Sequence, residues 1–327
     1  MIVVEPQETT LASFGCAQVH VSTLESPTLV QVTDFCRFDL ARQQLLVDRS
    51  FDLLAPFAVS GKVSGTSKAS ALQVADRAFG SALKHQALGY VNGGYRIVQS
   101  GRYGDLYVAE IEGVGRFVVD PLAGAVRWLD PRRDVDSDDV AQALLGPPFL
   151  LLAATQRTWI LHASAVLYGK KLIAFVGKSG WGKSTLAAFL DAKAGWQRVS
   201  DDMLPVSQSD RGVDAWPRFP QYRLPPTRQP GLGHPPRLSL DAVYLLMPSD
   251  SSVDSVSVLP ASPKEAATTI MGQTAGARLF DSALLARHFS FGVHAANTLR
   301  VRGLSYPRRF DLLPAVADAL ACDLDKQ

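Results

Sequence analysis

The chain has 327 residues, 47% hydrophobic and 20% charged, with 33 Lys and Arg against 31 Asp and Glu for a formal net charge of +2. This balance excludes a disordered chain, 25 Gly and 20 Pro without a period exclude a fibrous one, and the small net charge excludes the strongly basic balance usual in a nucleic-acid binder. Three widely spaced cysteines (Cys16, Cys36, Cys322) offer neither a disulfide framework nor zinc spacing, and no run approaches the ~18–20 apolar residues that span a bilayer, so a cytoplasmic protein is expected, with no nucleic-acid or membrane partner.

The length predicts about two domains. Apolar residues at helical spacing predict a helix over Ala71–Ala87. Short runs rich in Val, Ile, Tyr and Phe follow at Tyr95–Gln99, Asp105–Ile111, Gly115–Asp120 and Ala125–Leu129, separated by Gly104, Gly113 and the turn from Asp120 to Gly124. They predict an antiparallel meander. A polar stretch from Asp130 to Asp139 marks the domain boundary, giving a β-rich N-terminal domain over 1–135 and a second domain over 136–327. Charge divides along the chain too. Residues 1–150 hold 13 basic and 17 acidic side chains, net −4, and 151–327 hold 20 and 14, net +6.

In the second part, Trp159–Leu167 and Lys171–Val176 predict two strands joined by a turn at Tyr168, Gly169 and Lys170, and Ser184–Ala194 predicts a helix ended by Gly195. Trp216 to Pro236 contains seven prolines and predicts a long loop of the kind usually kept for function. Ala242–Met247 reads as a buried strand. Ser262, Pro263, Lys264 and Glu265 form a capping box that opens a helix to about Arg287, followed by a strand over Asn297–Leu304 and a closing helix over Asp311–Cys322.

One segment carries the chemistry. Gly177, Lys178, Ser179, Gly180, Trp181, Gly182, Lys183 and Ser184 match the phosphate-loop pattern in full, after an apolar strand and before a helix. The glycines let successive backbone N–H groups turn inward onto phosphate oxygens, and the helix adds the positive end of its dipole. Lys183 then reaches the β- and γ-phosphates and the Ser184 hydroxyl ligates Mg²⁺. Asp201 and Asp202 follow, with Asp201 seventeen residues beyond Ser184. Adjacent carboxylates on an extended backbone point in different directions, so one can serve a metal and the other a substrate hydroxyl. His162 lies on the strand that returns as a hairpin into the loop strand, within reach of the acidic pair. Ser164 beside it reads as packing. Arginines in the proline-rich stretch, Arg223 ahead of Arg218, are the cations expected to neutralise a transferring phosphoryl group, and the turn at Tyr306, Pro307, Arg308 and Arg309 reads as a plain turn.

These residues together resemble a known family. The segment Leu161-His162-Ala163-Ser164-Ala165-Val166, the loop from Gly177 to Thr185, and Gly195 followed by Val199-Ser200-Asp201-Asp202 are similar in order and spacing to the kinase core of the HPr kinase/phosphorylase family, most of all to its relatives that phosphorylate lasso-peptide precursors. The matched core covers about 45 residues. The resemblance implies an α/β (α+β) fold with a phosphoenolpyruvate-carboxykinase-like P-loop core, a mixed sheet and flanking helices. It also implies ATP-dependent, Mg²⁺-assisted transfer to a serine hydroxyl. Carried over residue by residue, Gly177 to Thr185 bind ATP, Ser184 and Asp202 serve the metal, and Asp201 is the general base with His162 supporting it. The longer signature that true HPr kinases carry after the acidic pair is missing, so the expected acceptor is a serine-bearing peptide or small carrier protein. Alternatives are a small-metabolite kinase and a nucleotide-sensing module without transfer. The sequence leaves open self-association into a homo-oligomer.

Overall fold

The computed structural model describes residues 9–14, 17–21, 29–33, 36–39, 44–47, 76–91, 94–122, 125–129, 143, 146–217, 219, 234–235, 237–247 and 255–326. The chain forms two compact units, one of Met1–Arg157, Tyr222–Gln229 and Gly276–Leu285, the other of Thr158–Gln221, Pro230–Ala275 and Ala286–Gln327. Among the described residues no helix is long and apolar enough to cross a membrane.

The first unit is built on a ten-stranded antiparallel sheet. Its strands are β1 (Thr9–Phe14), β2 (Ala17–Val21), β3 (Leu29–Thr33), β4 (Cys36–Asp39), β5 (Gln44–Val47), β6 (Leu83–Val91), β7 (Gly94–Tyr103), β8 (Leu106–Ile111), β9 (Gly115–Asp120) and β10 (Ala125–Trp128). β7 to β10 form the meander read from the sequence, and β6 adds a further strand ahead of them that the sequence did not predict. The helix expected over Ala71–Ala87 is shorter: α1 covers Asp76–Ala82, Leu83 already starts β6, and residues 71–75 lie outside the described residues. The chain turns from helix to strand against Gly101, where a Cβ would overlap the Ala82 carbonyl, so the bend depends on glycine at that position. α2 (Pro147–Thr155) packs on β8, β9 and β10. It has no polar face, eight of its nine residues are buried, and the sequence reading missed it for that reason, since a uniformly apolar helix shows no 3.6-residue stripe.

The second unit is α+β: a nine-stranded mixed sheet with flanking helices. Its strands are β11 (Thr158–Leu161), β12 (Ala163–Tyr168), β13 (Lys171–Val176), β14 (Trp196–Ser200), β15 (Leu204–Ser209), β16 (Gly212–Ala215), β17 (Leu238–Met247), β18 (Ser257–Pro260) and β19 (Arg300–Ser305). β17 runs parallel to both β13 and β19, and the remaining ladders are antiparallel. The central strands are apolar on both faces, as expected where helices cover a sheet. α3 (Lys183–Asp191) and α6 (Leu313–Asp325) contribute Leu186, Leu190, Val316 and Leu320 to a core around Phe175 and Tyr244. Each fully buried side chain of this size stabilises the fold by about 1.5–3 kcal/mol.

Two sequence expectations change here. The single strand over Trp159–Leu167 is two strands with His162 between them: β11 pairs with β15, whereas β12 pairs with β13 and β14. His162 donates its backbone N–H to the Gln273 carbonyl (2.8 Å) instead of continuing a ladder. The helix expected from Ser262 to Arg287 is two: α4 (Pro263–Gly272), opened by the capping box, and α5 (Ser282–Thr298), with a 3₁₀ turn at Ala277–Leu279 between. The first ends at Gly272 with Gln273 as its C-cap, Gly276 at φ 74° leads into the 3₁₀ turn, and Asp281 starts the second helix by accepting the Leu284 N–H at 2.8 Å. The last strand and helix fall at Arg300–Ser305 and Leu313–Asp325, a few residues from the expected bounds.

Candidate functional site

Register places three segments at one end of the mixed sheet. Ala163 pairs with Val176, so His162 stands at the level of Gly177, the first residue of the loop. Ala165 pairs with Ser200, and the Ala163 N–H donates to the Asp202 carbonyl at 3.2 Å, which brings the acidic pair to the same end. Gln273, just past α4, joins the segments: its carbonyl accepts from His162 N–H, and its side-chain oxygen accepts from Gly177 N–H at 3.3 Å. No sequence signal marked Gln273.

The backbone of the loop turns at its glycines. Gly177, Gly180 and Gly182 have φ of 146°, 78° and 90°, which side-chain-bearing residues rarely adopt, and a Cβ on Gly180 would enter open space. Lys183 opens α3 with its ammonium turned back into the loop, donating to the carbonyls of Gly177 (2.8 Å) and Lys178 (3.3 Å). Ser184 and Thr185, in the first turn, are exposed together with Lys178, Ser179 and Gly180. Trp181 is half-buried and lies beneath the Lys178 ammonium, 5.5 Å from its ring centre. Arg308 donates to the Gly180 carbonyl at 2.9 Å, so the turn at 306–309 is tied to the loop.

The acidic residues divide. Asp201 is buried, its side chain 9% exposed. It accepts a hydrogen bond from the Ser164 hydroxyl at 2.6 Å, and the Arg198 guanidinium stands 3.8 Å from its other oxygen. Asp202 takes φ 73°, one of two non-glycine residues so placed among those described, and its carboxylate meets His162 Nδ1 at 3.2 Å. The His162 side chain is 34% exposed against 14% for Asp202. The histidine therefore touches Asp202, where the sequence reading had set it behind Asp201, and Ser164 is a hydrogen-bond donor to Asp201 where packing was expected. The signal was legible: Ser164 is the one polar residue in an otherwise apolar run from Ala163 to Leu167. Arg218, Arg223 and Arg228 lie outside the described residues.

Among the described residues no three His, Cys, Asp or Glu side chains cluster as a metal site. A magnesium ion here would draw on Ser184, a carboxylate and the phosphates of a nucleotide, the oxygen set that Mg²⁺ ordinarily takes.

No family model matches the chain, and no curated protein matches it. Among solved structures it is similar to the HPr(Ser) kinase/phosphatase from Coxiella burnetii, at 15% identity and a TM-score of 0.30, over 52% of this chain and 97% of that one. A likeness of that size decides neither fold nor function.

Proposed function

We propose that the second unit is a kinase that transfers the γ-phosphoryl group of Mg-ATP to a hydroxyl, with a serine of a peptide or small carrier protein as acceptor. One observation carries the reading: a complete phosphate-loop sequence, a histidine and an acidic pair meet at one end of one sheet, linked by the backbone ladders and Gln273. The motif resemblance to the HPr kinase/phosphorylase family, and through it to a phosphoenolpyruvate-carboxykinase-like core, supports the same chemistry from the sequence side.

In the reaction the acceptor oxygen forms a bond to the γ-phosphorus, the bond from that phosphorus to the β–γ bridging oxygen breaks, and ADP leaves. Lys183 leaves the loop carbonyls for the phosphate oxygens, and the loop N–H groups hold the remaining charge. Magnesium, when bound, neutralises charge on the β- and γ-oxygens. The acceptor proton passes to Asp202, oriented by His162. The support for Asp202 over Asp201 is local. Asp201 is buried, with one oxygen accepting from the Ser164 hydroxyl and the other facing the Arg198 guanidinium, so its carboxylate is engaged within the protein, which suits anchoring more than contact with an acceptor hydroxyl. We assign acceptor choice to the N-terminal region, the part of the chain outside the phosphate loop and the Asp201–Asp202 pair.

The test is ADP release with Mg-ATP, with and without serine-containing peptides, followed by mass spectrometry of the peptide. Phosphate on a serine supports the reading. ATP turnover that never transfers to a hydroxyl overturns it.

A further inference from the structure

A cavity of about 450 Å³ lies beside the phosphate loop, lined by Gly180, Gly182, Thr185, Tyr306, Arg308 and Phe310, with Arg309 and Leu313 completing its wall. Its size is within the range of small-ligand sites. Lys183, His162 and the acidic pair are not among its lining residues. Gly180, Gly182 and Thr185 belong both to the phosphate-loop segment and to the cavity wall, so a ligand seated on the loop borders this cavity.

The walls suit a flat, apolar-faced ring. Phe310 begins a 3₁₀ turn and is 77% exposed, so its ring is open at the cavity wall. Tyr306 is buried behind the loop, with its hydroxyl 3.9 Å from where a Cβ on Gly182 would stand. Burial raises its ionisation above the ordinary tyrosine range, which keeps the hydroxyl neutral and able to donate. The two arginines are fixed: Arg308 by the Gly180 carbonyl, and Arg309 by a forked pair with Asp311 at 3.1 and 2.5 Å. They form a rim of set geometry beside the loop.

We propose that this cavity holds the nucleoside end of the nucleotide, with the base stacked on Phe310 and the ribose against the Tyr306 side of the loop. The proposal rests on the nucleotide reading above and adds where the base goes and what grips it. Because every base has a π-face, a stacking platform gives affinity without demanding one base.

Calorimetric titration of the full chain separates the parts, using Mg-ATP and Mg-tripolyphosphate, which has the phosphates and no nucleoside. With Phe310→Ala, ATP affinity should fall at least about fivefold, the lower end of one base–aromatic stack, while tripolyphosphate affinity stays unchanged. Phe310→Tyr should restore ATP binding. Equal losses for both ligands, or no loss for either, would overturn the proposal while leaving the phosphate loop standing. If neither ligand bound the unaltered chain, the nucleotide reading would fall and this inference with it.

Discussion

His162 Nδ1 stands 3.2 Å from Asp202 Oδ1, and Asp202 holds that position with a left-handed backbone, φ 73°. Such a conformation costs a non-glycine residue of order 1 kcal/mol, and asparagine tolerates it best after glycine. Asp202→Asn should therefore keep the fold and ATP affinity while lowering phosphotransfer by about 10²–10⁴-fold, the usual weight of a proton-accepting side chain. Asp202→Gly should be equally inactive and no less stable than Asp202→Asn. His162→Gln, which disturbs only orientation, should cost up to about 100-fold. Transfer rates beside calorimetric ATP affinities check all three. Full transfer by Asp202→Asn would remove Asp202 from the chemistry and return the base role to Asp201.

Ser164 and Asp201 make a buried pair at 2.6 Å between adjacent strands. A hydrogen bond to a charged group contributes about 1.5–3 kcal/mol, and its loss leaves the carboxylate under-solvated. Ser164→Ala should lower the urea midpoint by that amount of stability with the slope unchanged. A change below about 0.5 kcal/mol would mean that the remaining partners of Asp201, Arg198 among them, hold it without the serine.

The parts legible in the sequence were those whose signal is local. The loop from Gly177 to Ser184 follows from backbone needs that only glycine meets, and the capping box at Ser262 and Glu265 forms as read, with the Glu265 N–H donating to the serine hydroxyl at 3.3 Å. The meander from β7 to β10 follows from turn residues between alternating strands. What was missed depends on partners far along the chain. His162 interrupts its strand because Gln273 and Thr274, over a hundred residues later, bond there. Ser164 looked like packing because its partner is 37 residues away. The break between α4 and α5 had a readable sign, Gly276 followed by Asp281, but a reading anchored on the capping box that opens the helix ran through it to about Arg287.

Lys183 gives the proposed nucleotide site a direct readout. ATP at a hundred times its dissociation constant should stabilise the unit that binds it by about 2.7 kcal/mol. For a unit of this size that raises the thermal midpoint by roughly 5–10 °C. Lys183→Met keeps the buried stem and removes the ammonium that now donates to the Gly177 and Lys178 carbonyls. The variant should fold, melt slightly lower than the unaltered chain, and show no ATP-dependent rise. An ATP-dependent rise of equal size in both proteins would place binding away from the loop.

His288 makes the second unit sensitive to acid. Its side chain is 1% exposed, with its ring 4.8 Å from that of Trp159. Nε2 lies 2.8 Å from the Thr274 hydroxyl, which itself donates to the Ile270 carbonyl, so the ring nitrogen is the donor and carries the hydrogen. Burial pushes the imidazole down to about 4 from an ordinary 6.5. Between those values the unfolded chain binds a proton that the folded chain refuses, so stability rises with pH across the window. The contribution is complete above about pH 6.5 and is lost as pH falls through about 4, at a slope approaching 1.4 kcal/mol per pH unit. His288→Gln keeps a donor for Thr274 and removes the titration. Urea unfolding at pH 5, 6 and 7 should give a flatter pH dependence for the variant than for the unaltered chain. Parallel curves would show that the acid sensitivity arises from other groups.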